Sequence, residues 1–268
     1  MLHGAISALH GSLWGIAQRW MWKSRRLNLN VSPARPLVPD GLRVYAAGDI
    51  HGRADLLKQL FSRVDADLQE HPIAKAIHIF LGDYIDRGQD SAAVLDLLIE
   101  RARTHRMSCL KGNHEIFLAE FLENPSVLKL WAQYGGLATL ASYGLAPAIN
   151  AGPKEQADLS ASLGNTMPKS HSEFLAGLKL SFTCGDFFFV HAGVRPGSPL
   201  SHQREEDLLW IREDFLLHEE PFEKIIVHGH TPVRDPDVRK NRINIDTGAY
   251  ATGRLTCLRL ERDTIQFI

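Results

Sequence analysis

Five short motifs carry side chains that bind hard metal ions. They are Gly48-Asp49-Ile50-His51-Gly52, Gly82-Asp83-Tyr84-Ile85-Asp86-Arg87-Gly88, Gly112-Asn113-His114-Glu115, His191-Ala192-Gly193 and His228-Gly229-His230-Thr231. Each sets carboxylate, amide or imidazole groups beside glycine, and each follows an apolar run that reads as a strand. Asp49 and His51 are two residues apart at a strand end, so both point the same way and can chelate one divalent ion. The carboxylate of Asp83 has two oxygens and can bridge two ions. Asn113 offers a neutral carbonyl oxygen, and His191 and His230 offer imidazoles. Nitrogen and oxygen ligands without thiolate suit manganese, iron or zinc.

The elements that must position these motifs follow from periodicity. Val44 to Ala47 reads as a strand, and Leu56, Leu57, Leu60, Phe61, Val64 and Leu68 make one face of a helix after it. Ile77 to Leu81 is a second strand, Ser91 to Arg103 a second helix, and Met107 to Leu110 a third strand. This order implies parallel strands with right-handed crossovers, and it puts the first three motifs at strand C-terminal ends. Glu115 to Gly177 reads as helix and loop. Then come short strands at Leu178 to Cys184, Phe187 to Val190, Ile225 to Val227, Arg242 to Ile245, Leu255 to Leu260 and Thr264 to Phe267. Gly185-Asp186 marks a hairpin turn between the first two of these. Parallel βα units followed by antiparallel strands predict two packed sheets with helices outside.

The five motifs, in this order, resemble those of the calcineurin-like metallophosphoesterases, and among them the serine/threonine phosphoprotein phosphatases, including small bacterial and phage members. The resemblance runs from about Arg43 to about Leu258. It implies an α/β/β/α sandwich of two mixed sheets flanked by helices, with a binuclear metal site at the strand ends and a variable cap over residues 121–180. It assigns Asp49, His51 and Asp83 to a first metal, and Asp83, Asn113, His191 and His230 to a second, manganese being the expected ion. Many members end the last motif with Gly-His-x-His; here that final place is Pro232, as in the phosphoprotein phosphatases. A hydroxide bridging the two ions is the expected nucleophile, because two cations acidify a shared water. His114 would protonate the leaving oxygen, with Asp86 bonded to its imidazole and favouring the charged form. Arg87 and Arg212 are the expected phosphate clamp, since a guanidinium fork matches two phosphate oxygens. Arg212 rests on Leu209-Trp210-Ile211-Arg212-Glu213, which resembles the Trp-x-Arg of phage-type relatives.

Two substrates fit this resemblance. The intact Asp86-Arg87-Gly88 points to a phosphoprotein or phosphopeptide, hence to a serine/threonine protein phosphatase. The alternative is a dinucleoside polyphosphate hydrolase of the symmetrical diadenosine tetraphosphatase type. A non-catalytic scaffold of this fold would lack His114 or a ligand, and all are present. Trp131, Tyr134 and Gly135-Gly136 lie where the chain should cross above the metals. They read either as the core of a small helical subdomain or as one wall of a substrate cleft.

Composition narrows the partners. With 30 basic and 31 acidic residues there is no bulk attraction to nucleic acid, and a monomer is expected. Three cysteines in apolar runs, without a CxxC spacing, suit reduced thiols in a cytoplasmic protein. Residues 1–40 read as a basic amphipathic tail and linker, and 41–268 as the catalytic domain. The tail has no acidic residue before Asp40, and Ile6, Leu9, Leu13, Ile16 and Trp20 fall on one helical face. A peripheral membrane or partner contact through residues 1–30 is the functional expectation for it.

Overall fold

The computed structural model describes residues 36–146 and 150–268. The tail reading falls on residues outside these. Strands β1 (Leu42–Ala47), β2 (Lys75–Phe80) and β3 (Met107–Cys109) are joined by helices α1 (Ala54–Glu70) and α2 (Ser91–Ala102). They pair in parallel, Val44 opposite Ile77 and Ile79 opposite Ser108. Helix α3 (Asn113–Glu123) starts at the third motif, and α4 (Leu128–Gln133), α5 (Gly136–Ser142), α6 (Pro153–Thr166) and α7 (Lys169–Ala176) make up the cap. A second sheet follows from β4 (Ser181–Cys184), β5 (Phe187–Val190), β6 (Ile225–His228), β7 (Asp237–Val238) and β8 (Arg242–Asn244). Helices α8 (Glu205–Trp210) and α9 (Glu213–Leu216) lie between β5 and β6 in sequence, and α10 (Ala249–Thr252) follows β8. The chain then returns to the first sheet as β9 (Cys257–Glu261) and β10 (Thr264–Phe267).

The sheet orders are β10-β9-β1-β2-β3 and β4-β5-β6-β8-β7. The second sheet departs from the antiparallel expectation: β5 pairs β6 in parallel, and β6 pairs β8 in parallel. Its hairpin at Gly185 is antiparallel as expected. The reason lies in the connections. Helices α8 and α9 form a crossover long enough to bring the chain back in the same direction, which a tight turn cannot do. Strand β7, two residues long, has no periodicity to read.

Alternation along the strands builds the layers. Val44, Ala46, Ile77 and Ile79 face Phe187, Phe189, Val227 and Ile243 in a core between the sheets. Tyr45, Ala47 and Phe80 point the other way, onto Leu57, Leu60 and Val64 of α1. Phe188, Val190 and Ile226 cover the far face of the second sheet with Leu208 and Phe215. Four layers result, and the central strands β1, β2, β5 and β6 are apolar on both faces because both are buried. Val38, inside the expected linker, is buried in the inter-sheet core, and its N–H bonds Arg262 O at 3.0 Å. All three cysteines are free thiols. No helix among the described residues is long and apolar enough to cross a membrane.

Candidate active site

The five motifs meet at one end of the sandwich, locked by their backbones. His51 N–H donates to Asp83 O at 2.8 Å, Gly52 N–H to Tyr84 O at 2.8 Å, and Gly229 N–H to His191 O at 2.8 Å. Gly82, at φ 107°, lies so close to the third motif that a Cβ there would meet Gly112 N at 2.5 Å. Five of the six non-glycine residues with left-handed φ among the described residues are His51, Asp83, Asp86, Arg87 and His230. Such conformations are costly for residues with a Cβ and persist where the surroundings over-determine them. Glu115 supplies part of that constraint. Its buried carboxylate accepts from the N–H groups of Gly112 (2.8 Å), Asp83 (3.0 Å) and Tyr84 (2.8 Å). Burial and the nearby charge of Asp83 push its pKa up to about 7.

Two clusters of ligand atoms converge, His51–Asp83–His114 and Asp83–His191–His230, with Asp83 in both. His51 Nδ1–H donates to Ile85 O at 2.9 Å, and His191 Nδ1–H to Leu81 O at 2.9 Å. Each ring therefore presents the lone pair of Nε2 to the site. His191 Nε2 lies 2.9 Å from Asn113 Oδ1, and His230 Nδ1 lies 2.8 Å from the same oxygen. Asp83 Oδ1 is 3.4 Å from His191 Nε2, and its Oδ2 is 3.5 Å from His51 Nε2. Asp49 stands beside these clusters rather than in them: His230 N–H donates to both its oxygens, at 3.1 and 3.3 Å. Among acidic neighbours Asp246 acts most strongly on its charge, and Asp246 accepts from Gly248 N–H at 2.8 Å.

The electrostatics ask for cations. Burial, and then the charges of Asp246 and Asp83, push the Asp49 carboxyl well above its usual range, and burial lifts Asp246 to about 6. Burial opposes charge on Asp83 too, but the surrounding imidazoles hold its pKa low. Burial drives His51 to about 3 and His230 to about 2, so both rings are neutral at physiological pH, the form that binds metal. Buried carboxylates and inward lone pairs with no lysine or arginine in either cluster fit a divalent pair better than any protein partner. The residues present thus fit a two-metal centre.

His114 Nδ1–H donates to Asp86 Oδ2 at 2.7 Å. Burial works against its charge, but Asp83 and the bond to Asp86 outweigh burial, and its pKa is raised. Asp86 is itself gripped from the cap: Trp131 Nε1–H donates to Oδ2 at 2.8 Å and Thr139 Oγ1 to Oδ1 at 2.5 Å. Arg87 Nη2 is 3.3 Å from His114 Nε2, and its guanidinium lies 4.6 Å from the centre of the Tyr250 ring. Arg212 is exposed and bonds Thr231 Oγ1 at 3.3 Å. Its charge, secondary to burial, helps lower His191 and His230. His228, the last residue of β6, is buried against Phe215 and takes no part in the clusters. Trp131 is fully buried, whereas Tyr134 is 39 % exposed.

Three contributors were not legible as site residues. Asp246 follows β8 in Asn244-Ile245-Asp246-Thr247-Gly248, an aspartate after an apolar strand and near glycine, which is the same signal that marked the other motifs. Thr139 and Tyr250 have no such local sign.

Comparison with known proteins agrees with this geometry. The asymmetrical bis(5'-nucleosyl)-tetraphosphatase PrpE of Anoxybacillus flavithermus is 28% identical over 243 residues, covering 81% of this chain and 91% of that one. The protein of the same name from Halalkalibacterium halodurans is 26% identical over 240 residues, covering 82% and 90%. A protein serine/threonine phosphatase structure from Saccharomyces cerevisiae shares the fold, with a TM-score of 0.52 at 17% identity over 82% of this chain and 72% of that one. The sequence pattern of the calcineurin-like phosphoesterases matches residues 42–265. Enzymes of that pattern are hydrolases built on a two-metal centre, and this chain belongs to the calcineurin-like phosphoesterase family.

Proposed function

We propose that this chain hydrolyses dinucleoside polyphosphates. The observation that carries the reading is the pair of relatives named for bis(5'-nucleosyl) tetraphosphate, matched over four-fifths of this chain and nine-tenths of their own length. Their names favour asymmetrical cleavage, which leaves a nucleoside triphosphate and a nucleoside monophosphate. On this reading Asp49, His51 and Asp83 hold one divalent ion, and Asp83, Asn113, His191 and His230 the other. Bound there, the ions would supply Lewis acidity and an acidified water. Arg87 and Arg212 bind the phosphate chain and orient one phosphorus between the clusters. His114, held by Asp86, stands ready to protonate the departing oxygen. A nucleotide leaving group is acidic, so this proton matters less than it would for an alkyl ester.

A second reading, hydrolysis of phosphoserine or phosphothreonine, is favoured by the buried Asp86–His114 bond, since an alkoxide leaving group needs that acid. A turnover comparison decides between them. Diadenosine tetraphosphate and a phosphothreonine peptide are offered with manganese, and products are separated by anion exchange. ATP and AMP in equal amounts, formed faster than peptide phosphate, support the proposal. Two ADP would move the cleavage to the centre of the chain. Faster release of phosphate from the peptide would replace the proposal with the second reading.

A further inference from the structure

Every exposed tryptophan, tyrosine or phenylalanine among the described residues borders the site: Tyr134 at 39 %, Trp210 at 36 % and Tyr250 at 40 % relative exposure. Exposed aromatics scattered over a surface need no explanation, but three around one mouth do. Tyr250 is already engaged, its ring beneath the Arg87 guanidinium and its edge relation to His51 at 5.4 Å. Tyr134 has one face covered by the buried ring of Phe117, at 5.0 Å and 22°. Trp210 differs from both. Its two ring contacts, Phe117 at 5.8 Å and His230 at 6.3 Å, are both T-shaped, so among the described residues no aromatic ring lies parallel on the indole.

The same Phe117 that is nearly parallel to Tyr134 is nearly perpendicular to Trp210. The planes of the two exposed rings are therefore steeply inclined to one another, with Phe117 in contact with both. Tyr134 also stands 6.1 Å from His114, edge-on, and Arg212 follows Trp210 by two residues. Tyr134 thus borders the group that would protonate the leaving oxygen, and Trp210 borders the ligand His230 beside one arm of the phosphate clamp. A ligand that carries a flat, apolar ring on the leaving side of a phosphate chain would place that ring here.

We propose that Trp210 is the stacking platform for a nucleobase on the leaving-group side. This rests on the dinucleotide reading of the site. A purine offers a π-face of the size of an indole, whereas a peptide side chain after a phosphothreonine need not be planar. Stacking on one aromatic side chain is tolerant of base identity, so the platform selects a nucleoside without choosing among bases.

The test uses the full chain with manganese in excess and p-nitrophenyl phosphate as the reporter substrate. ATP and inorganic tripolyphosphate are compared as inhibitors, because they share a triphosphate chain and differ by the nucleoside. In the wild type ATP should inhibit roughly tenfold more strongly, the worth of one stacked base. Trp210→Ala should bring the two inhibition constants together, and Trp210→Phe should restore most of the gap. Any general damage to the site weakens both inhibitors alike and cancels from the ratio. Equal inhibition in the wild type, or a ratio that survives Trp210→Ala, overturns the platform. A wild type that favours ATP yet leaves diadenosine tetraphosphate uncut keeps the platform and overturns the dinucleotide hydrolase reading.

Discussion

His114 is the residue whose role most sharply separates the two substrate classes. Its imidazole is charged more readily than usual because Asp83 and Asp86 outweigh its burial. His114→Ala should cut turnover of alkyl phosphomonoesters by roughly 10²–10⁴, the range for losing a positioned general acid. The loss should be much smaller for p-nitrophenyl phosphate and for diadenosine tetraphosphate, whose leaving groups are acidic. Steady-state kinetics on the three substrates checks this, and an equal loss on all three would remove the acid role. At this scale the sequence was informative where chemistry is local. Asp49, His51, Asp83, Asn113, His191 and His230 each announce themselves by type, glycine neighbours and a preceding strand; the fold draws five of them together and sets Asp49 beside them, on the His230 N–H. Trp210 and Tyr250 do not, because an exposed aromatic in a helix has no local mark of what it faces.

At the scale of elements, the cap does more than cover the cleft. Helices α4 and α5 send Trp131 and Thr139 down to Asp86, and Gly135 between them accepts from Arg87 N–H at 3.2 Å. Gly135 sits at φ 95°, and a Cβ there would meet Arg87 N at 2.7 Å. Of the two expectations for this segment, core and cleft wall, Trp131 follows the first, while Tyr134 is exposed, 6.1 Å from His114. Neither contact to Asp86 could be read from the chain, since they join residues 45 and 53 positions apart. Thr139 Oγ1 also accepts from Asp86 N–H at 2.9 Å and shares a bond with Ser91 Oγ at 3.0 Å. Thr139→Val keeps the shape and removes these bonds, leaving the buried Asp86 Oδ1 without this donor, while the Asp86 N–H keeps Ser91 Oγ at 3.1 Å. It should cost about 1–3 kcal/mol of stability by denaturant titration. It should also flatten the alkaline limb of activity as His114 loses its oriented partner. A variant with wild-type stability and pH profile would show that the cap does not hold Asp86.

Across the whole molecule, the layered sandwich buries histidines that the site does not use. His78 lies in β2 and His228 ends β6, and burial lowers both to about 3. The unfolded chain binds protons at these rings near pH 6.5 and the folded chain does not, so between those values unfolding takes up protons. Their contribution is complete above pH 6.5 and is lost as pH falls toward 3, by up to about 1.4 kcal/mol per pH unit for each ring. His78→Leu should make the acid side of the stability–pH curve shallower by about one proton, and an unchanged slope would contradict the assignment. The order of βα units and the helices α1 and α2 were legible because burial writes apolar runs and faces into the sequence, whereas α8 and α9, short helices over the second sheet, were not read. The parallel pairing in the second sheet was not, because it depends on the length of a crossover rather than on any strand.

The central claim is that Asp83 joins two clusters into one centre for two ions. Metal content per chain, measured by mass spectrometry on protein loaded with manganese and freed of excess, tests it directly. About two ions per chain are expected in the wild type, with occupancy lost at both positions in Asp83→Asn and the circular dichroism of the fold retained. Full occupancy in Asp83→Asn, or a wild type that binds no metal, would contradict it.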